Sequence, residues 1–402
     1  MKLNKLYYFV FFLAFSSLII SCNKEVNETD PVIVEPQRGD VVLATKIGDY
    51  TISLINIGIL SSGVSTTLVP ESDVESIRLE YLTVDKDGEL TTASGSLFVP
   101  KTPGNYPLLS YHHGTLIKRS NAPSYLGNSS VEGLVGALSA STGFISCMPD
   151  YLGLGVSELV HPYLQSELSA SASIDLLIAA ENYCDEHGIT FSTDLYLCGY
   201  SEGGYVTMAT QKKLESSYTS QFTLKASAPM AGPYDVEATA DGLLAMSTYS
   251  SPALIGFILY AYSEYYDVVD LNDVFNAPYA AQIPTLFDGT KDLATINSSL
   301  TTDMTALLNQ TFVDDYKSNT TNNLRLAFRE NSLLNWNPKT AMRLYHSQED
   351  EIVPYAVSVN AEQVLSAQSS STVELITFPT GSHTNAAVPI VLAALEWFNS
   401  IK

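Results

Sequence analysis

Lys2 and Lys5 precede a mostly apolar, uncharged stretch from Leu6 to Ile20, which ends at Ser21 and Cys22. That stretch is shorter than the roughly 20 residues a spanning helix needs, and it fits a secretory signal over residues 1–21. Residues 76–99 alternate between apolar and polar around Asp87-Gly88, which predicts two strands joined by a hairpin turn. Short continuous apolar runs follow at Tyr106–Tyr111, Gly143–Met148 and Leu195–Cys198. They end in His112-His113-Gly114-Thr115, Pro149-Asp150-Tyr151 and Gly199-Tyr200-Ser201. Runs of this kind predict buried parallel strands. Helical spacing over Ser166–His187 and Glu202–Leu214 alternates with them. The fold class expected is therefore α/β, with a mostly parallel, doubly wound sheet whose functional groups collect at the carboxyl ends of the strands.

A fourth strand is expected at Leu224–Ala228, after which the pattern breaks. Residues 235–335 read as mostly helical, with an aromatic run at Leu254–Val269, before strands resume at Met342–His346 and Val373–Phe378. A last helix is expected over Ala386–Ile401. The simplest organisation is a core of residues 46–234 and 336–402, with 235–335 inserted as a helical cap over the strand ends. The aromatics of that insertion either pack the cap onto itself or line an apolar substrate pocket.

Charge narrows the function. The chain of 402 residues carries 43 Asp+Glu against 20 Lys+Arg, a net −23. Such an acidic surface repels phosphate backbones and excludes nucleic acid as a partner. Ile19-Ile20-Ser21-Cys22 resembles a bacterial lipobox, in which the cysteine is acylated and becomes the mature N-terminus. Residues 22–45 are then expected as acylated Cys22 and a flexible tether, polar and broken by Pro31 and Pro36 in its first part. The protein would be anchored in the bacterial cell envelope, facing outside the cytoplasm. Cys147, Cys184 and Cys198 remain, and Cys147 and Cys198 sit in apolar runs that look like central strands, so buried free thiols are expected.

Gly199-Tyr200-Ser201-Glu202-Gly203 is a G-x-S-x-G element between an expected strand and an expected helix. Its sharp turn needs small residues at Gly199 and Gly203, because strand and helix pass closely there. A serine nucleophile needs a base, and the base needs an orienting carboxylate, in the chain order Ser, acid, His. Only His346 and His383 follow Ser201. His383, between the last strand and the last helix, can reach over the strand ends, whereas His346 reads as a structural loop residue. Glu349, Asp350 and Glu351 are adjacent in one loop, and spacing does not separate them. An oxyanion site needs two backbone N–H groups: one from Glu202 at a helix start, the other from Gly114 or Thr115. His112 and His113 are expected to shape that loop, and Asp150, Tyr151 and His161 to build structure at the rim. No H-E-x-x-H, C-x-x-C or P-loop is present, so neither metal nor cofactor is expected.

Tyr111–Thr115, Pro149–Gly155, His161–Leu164, Gly199–Gly203 and Asp350–Pro354 together resemble the secretory lipase family, which includes the fungal lipase A enzymes. The resemblance spans residues 75–400 in order. It implies an α/β-hydrolase fold with a helical cap, Ser201 as nucleophile, His383 as base, Asp350 as the orienting acid, and Thr115 and Glu202 as oxyanion donors. Glu202 departs from the small residue common after the nucleophile, so its carboxylate is expected to shape the acyl pocket or disfavour anionic substrates. The function implied is a serine hydrolase of carboxylic esters, lipase or carboxylesterase, acting through an acyl-enzyme on a small-molecule or lipid ester. Competing readings are a peptidase or acyl-peptide hydrolase on the same triad, a glycan or phenolic-ester esterase, and a non-catalytic binding lipoprotein.

Overall fold

In the computed structural model, which describes residues 35–126 and 130–402, nine strands form one sheet among the described residues. They are Val41–Tyr50 (β1), Val74–Val84 (β2), Leu90–Pro100 (β3), Tyr106–His112 (β4), Ile145–Pro149 (β5), Phe191–Tyr200 (β6), Thr223–Met230 (β7), Ala341–Ser347 (β8) and Val373–Phe378 (β9). Their order is β1-β2-β3-β5-β4-β6-β7-β8-β9. β1, β2, β3 and β5 pair antiparallel, and every pairing from β5 across to β9 is parallel. The hairpin turns at Gly88, whose φ of 82° suits glycine.

The apolar runs are continuous because both faces of the parallel strands are covered. On β6, Tyr196 and Cys198 face Phe144, Ile390 and Phe398 on one side. Leu195 and Leu197 face Leu176, Leu177 and Leu214 on the other. The helices Val131–Ser141 and His383–Ile401 supply the first layer, and Ser166–His187 and Glu202–Ser217 the second. Strand order reverses around β4: the chain leaves it for β5 on one side and returns to β6 on the other. The loops after β4 and β6 therefore diverge, leaving a crevice at the switch point.

The tether expected over 22–45 ends earlier than that. Val41–Thr45 belong to β1, paired with Arg78–Tyr81 of β2, and Arg38 reaches the buried Asp175 at 3.0 Å. β1 is an edge strand exposed along most of its length, so backbone hydrogen bonds hold it and no apolar alternation announces it. The helix Ile52–Ser62 follows it. The leader 1–21 and Cys22 lie outside the described residues.

Between β7 and β8 the chain is helical, from Val236–Leu244 through Pro252–Tyr266 to Asn323–Glu330. Arg325 ties its first and last helices together through Glu237 at 2.9 Å and Asp241 at 2.6 Å. The insertion shares one apolar core with the rest: Tyr262 and Phe328 pack in the same cluster as Tyr205, Leu344 and Val373.

Candidate active site

Ser201 stands between β6 and the helix Glu202–Ser217 with φ 61° and ψ −122°. A non-glycine residue in that region carries strain on the order of 1–3 kcal/mol, which the surroundings must impose. They do so by close packing. A Cβ on Gly203 would overlap the carbonyl of His112, and one on Gly199 would overlap that of Gly203. The Ser201 N–H donates to Met230 O at 2.9 Å, holding the turn against the end of β7.

His383 opens the helix His383–Ile401, which Ser382 caps by accepting from Asn385 N–H. Its Nε2 lies 2.8 Å from Ser201 Oγ and its Nδ1 lies 2.6 Å from Asp350 Oδ2. A carboxylate can only accept, so the imidazole proton sits on Nδ1 and Nε2 is left to accept from the serine hydroxyl. Asp350 Oδ1 accepts from the N–H groups of Ile352 and Val353 at 2.9 and 2.8 Å. Burial alone would raise the Asp350 carboxyl, but hydrogen bonds from His346 and His383, the His383 charge and the Val353 N–H outweigh it and hold it well below the usual carboxylate range.

The three adjacent acids are thereby sorted. Glu349 accepts from Gly381 N–H and Glu351 from His383 N–H, both at 2.9 Å, so these two fix the backbone of the histidine loop. Only Asp350 faces the imidazole. His346, expected as a loop residue, has a more specific position: its Nε2 donates to Asp350 Oδ2 at 3.1 Å and Val353 O at 2.9 Å, and Nδ1 meets Ser358 Oγ at 2.7 Å. Nothing in its spacing from Asp350 marks that contact in advance.

On the other side of Ser201, the loop after β4 passes so near that a Cβ on Gly114 would stand 3.6 Å from Ser201 Cβ. Thr115 follows, its hydroxyl 3.1 Å from that of Tyr163. The Glu202 N–H belongs to the first turn of its helix, where intrahelical partners are lacking. Thr115, Ser201 and Glu202 line a cavity of ≈ 80 Å³ that continues between apolar side chains of the insertion, among them Leu243, Leu254 and Ile258. Glu202, expected to shape the acyl pocket or disfavour anionic substrates, lines this cavity, and its carboxylate is buried against His161, with Oε1 2.5 Å from Nε2. His161 Nδ1 donates to Leu152 O at 2.7 Å, and Tyr151 stacks on the ring.

His112 is buried between Ser110 and Thr207, and burial, with His113 nearby, pushes its imidazole down to about 3. His112 stays neutral; it shapes the loop together with His113, whose ring contacts Gly114 O and Asp150 O. Asp150 accepts from the Ser94 and Ser124 hydroxyls under the same loop. Cys147, Cys184 and Cys198 are buried free thiols; burial pushes Cys184 up to about 12 and raises the other two as well. Among the described residues, no group of three or more His, Cys, Asp or Glu side chains could hold a metal ion, and no helix is long and apolar enough to cross a membrane.

Residues 130–400 match the model of the family described as secretory lipase. A solved hydrolase from Legionella pneumophila is 29% identical, with 90% of this chain and 97% of that one covered and a TM-score of 0.82. The rice cell wall degrading esterase LipA from Xanthomonas oryzae is 28% identical over 91% of this chain and 98% of its own, also at 0.82. Candida antarctica lipase A, at 16% identity, 90% and 83% coverage and a TM-score of 0.66, shares the fold. No curated protein matches the sequence.

Proposed function

The chain belongs to the secretory lipase family, an α/β-hydrolase and carboxylic ester hydrolase, and we propose that it works through Ser201, His383 and Asp350 by way of an acyl-enzyme. The observation that carries this reading is the hydrogen-bonded chain of 2.6 and 2.8 Å from Asp350 through His383 to Ser201. Ser201 Oγ attacks the ester carbonyl as its proton passes to His383 Nε2. The tetrahedral oxyanion is assigned to the N–H groups of Thr115 and Glu202, a reading supported by the cavity that these two residues line together with Ser201. His383 then returns the proton to the leaving alcohol, and the C–O bond breaks. Water, deprotonated by the same imidazole, attacks the acyl-enzyme, and collapse releases the acid and restores Ser201. Asp350 remains ionised and holds the imidazole in its Nδ1–H tautomer throughout.

The apolar walls of the cavity beside Ser201 favour an apolar acyl group over a glycan ester, with the insertion of residues 235–335 as its cover. Membership of a family described as secretory supports work outside the cytoplasm. We further propose that the leader 1–21 is removed and that acylated Cys22 tethers the enzyme to a membrane surface. The triad is tested with p-nitrophenyl esters and a fluorophosphonate probe. Wild type is expected to turn over the esters and take up one probe per chain, and Ser201→Ala to lose both, with turnover down by about 10⁴-fold or more. Full turnover by Ser201→Ala would overturn the assignment.

A further inference from the structure

A second, larger cavity shares no lining residue with the one beneath the insertion. It is a trough of ≈ 550 Å³ walled by the helices Ile52–Ser62, Val131–Ser141 and His383–Ile401, with Gly114, Tyr111 and Tyr200 along its inner side. The inward residues recur at helical spacing: Leu54, Ile55, Gly58 and Ile59 on one wall, Leu134, Val135 and Leu138 on the next. Packed interiors leave few voids larger than a water molecule, whereas this volume falls within the roughly 300–1,000 Å³ typical of ligand sites.

We infer that this trough binds the alcohol arm of the ester, and that the enzyme acts on esters of long-chain or bulky apolar alcohols. The inference rests on the triad reading above. Continuity with the site comes from Gly114 and Tyr200, which line the trough and flank Ser201. Tyr200 also donates to the His383 carbonyl at 2.6 Å, with its ring 5.1 Å from the imidazole. The direction follows from proton transfer. The imidazole must hand its proton to the leaving oxygen, so the alcohol departs on the His383 side. Ala387 and Val388, the next turn of the helix that His383 begins, form the wall on that side. The oxyanion donors Thr115 and Glu202 line the smaller cavity instead, which takes the acyl arm.

Wall chemistry sets the class of alcohol. Apart from Ser61, Ser62 and Glu132, the side chains of the three helices that line the trough are Leu, Ile, Val and Ala, and no lysine or arginine stands among them. Such walls do not compensate a charged or heavily hydroxylated alcohol. Each methylene they take from water raises transition-state binding by up to about fourfold.

The test uses the purified protein with butanoate esters of ethanol, hexanol and dodecanol, at concentrations where the substrate is monomeric. A second series holds ethanol fixed and lengthens the acyl chain. In wild type, kcat/KM is expected to rise at least tenfold from the ethyl to the dodecyl ester. Ala387→Phe and Val135→Phe fill the trough from two different walls, and each should flatten that ratio while leaving the slope of the acyl series as it was. A flat alcohol series in wild type, with ethyl butanoate still hydrolysed, overturns the inference and leaves the triad reading standing. Variants that flatten the acyl series instead would reverse the two arms and overturn it equally. Loss of all ester turnover in wild type would remove the triad reading and this one with it. Should either variant fail to fold, the wild-type series and the other variant decide.

Discussion

The environment of Asp350 determines what replacing it would do. Oδ1 already accepts two backbone N–H groups, from Ile352 and Val353. In Asp350→Asn the amide oxygen must occupy that position, so the NH₂ turns toward His383 and His346. An N–H facing Nδ1 forces the imidazole proton onto Nε2, where it can no longer accept from Ser201. A loss of about 10⁴-fold in kcat is expected with KM little changed, read from steady-state ester hydrolysis. The same carboxyl is depressed in the folded protein, so its contribution to stability is complete above roughly pH 5 and fades as the pH falls toward its folded value. The stability gap between wild type and Asp350→Asn should therefore shrink between pH 5 and pH 2 in denaturant titrations. At this scale the motif around Ser201 and the placing of His383 were legible in the sequence. The choice among Glu349, Asp350 and Glu351 was not legible in their spacing, and only the family resemblance pointed to Asp350, because three consecutive residues of a loop point in directions that the folded backbone sets.

Among elements, the close pass of the helix Glu202–Ser217 over the ends of β4 and β6 governs the site. Gly203 lies against the carbonyls of His112 and His113, and Gly204 against Met230. A methyl at position 203 has no side chain to displace, only backbone. Gly203→Ala is expected to cost about 1–3 kcal/mol of stability and to lower kcat by shifting the Glu202 N–H away from the oxyanion site proposed for it. Thermal unfolding together with kcat measures both, and an unchanged variant would show that the helix does not need this approach. Parallel strands were readable because coverage on both faces makes their apolar runs continuous. β1 was not, since an edge strand lying in water needs no such pattern.

At the scale of the whole molecule, the folded unit begins near Arg38. Arg38 at the buried Asp175 and Gly39 N–H at Leu82 O, 2.8 Å away, fasten the start of the folded unit, so any free tether lies before them. With Cys22 acylated, the wild-type protein should partition with membranes and release only into detergent, while Cys22→Ala appears in the soluble fraction with its ester turnover intact. Partition of both proteins into the soluble phase would rule out the lipid anchor.

Hydrophobic periodicity by itself determined that this chain builds a mostly parallel α/β sheet, and chain order placed Ser201 and His383 at strand ends, because both follow from local spacing and connectivity. Which of three adjacent acids meets the imidazole, left open by spacing and named only by the family resemblance, that His161 engages the Glu202 carboxylate, and that three helices far apart in sequence enclose a trough beside Tyr200 were decided by tertiary structure. Each depends on side chains separated by tens to hundreds of residues, whose distance and direction are set by how the layers pack, and no local pattern encodes that.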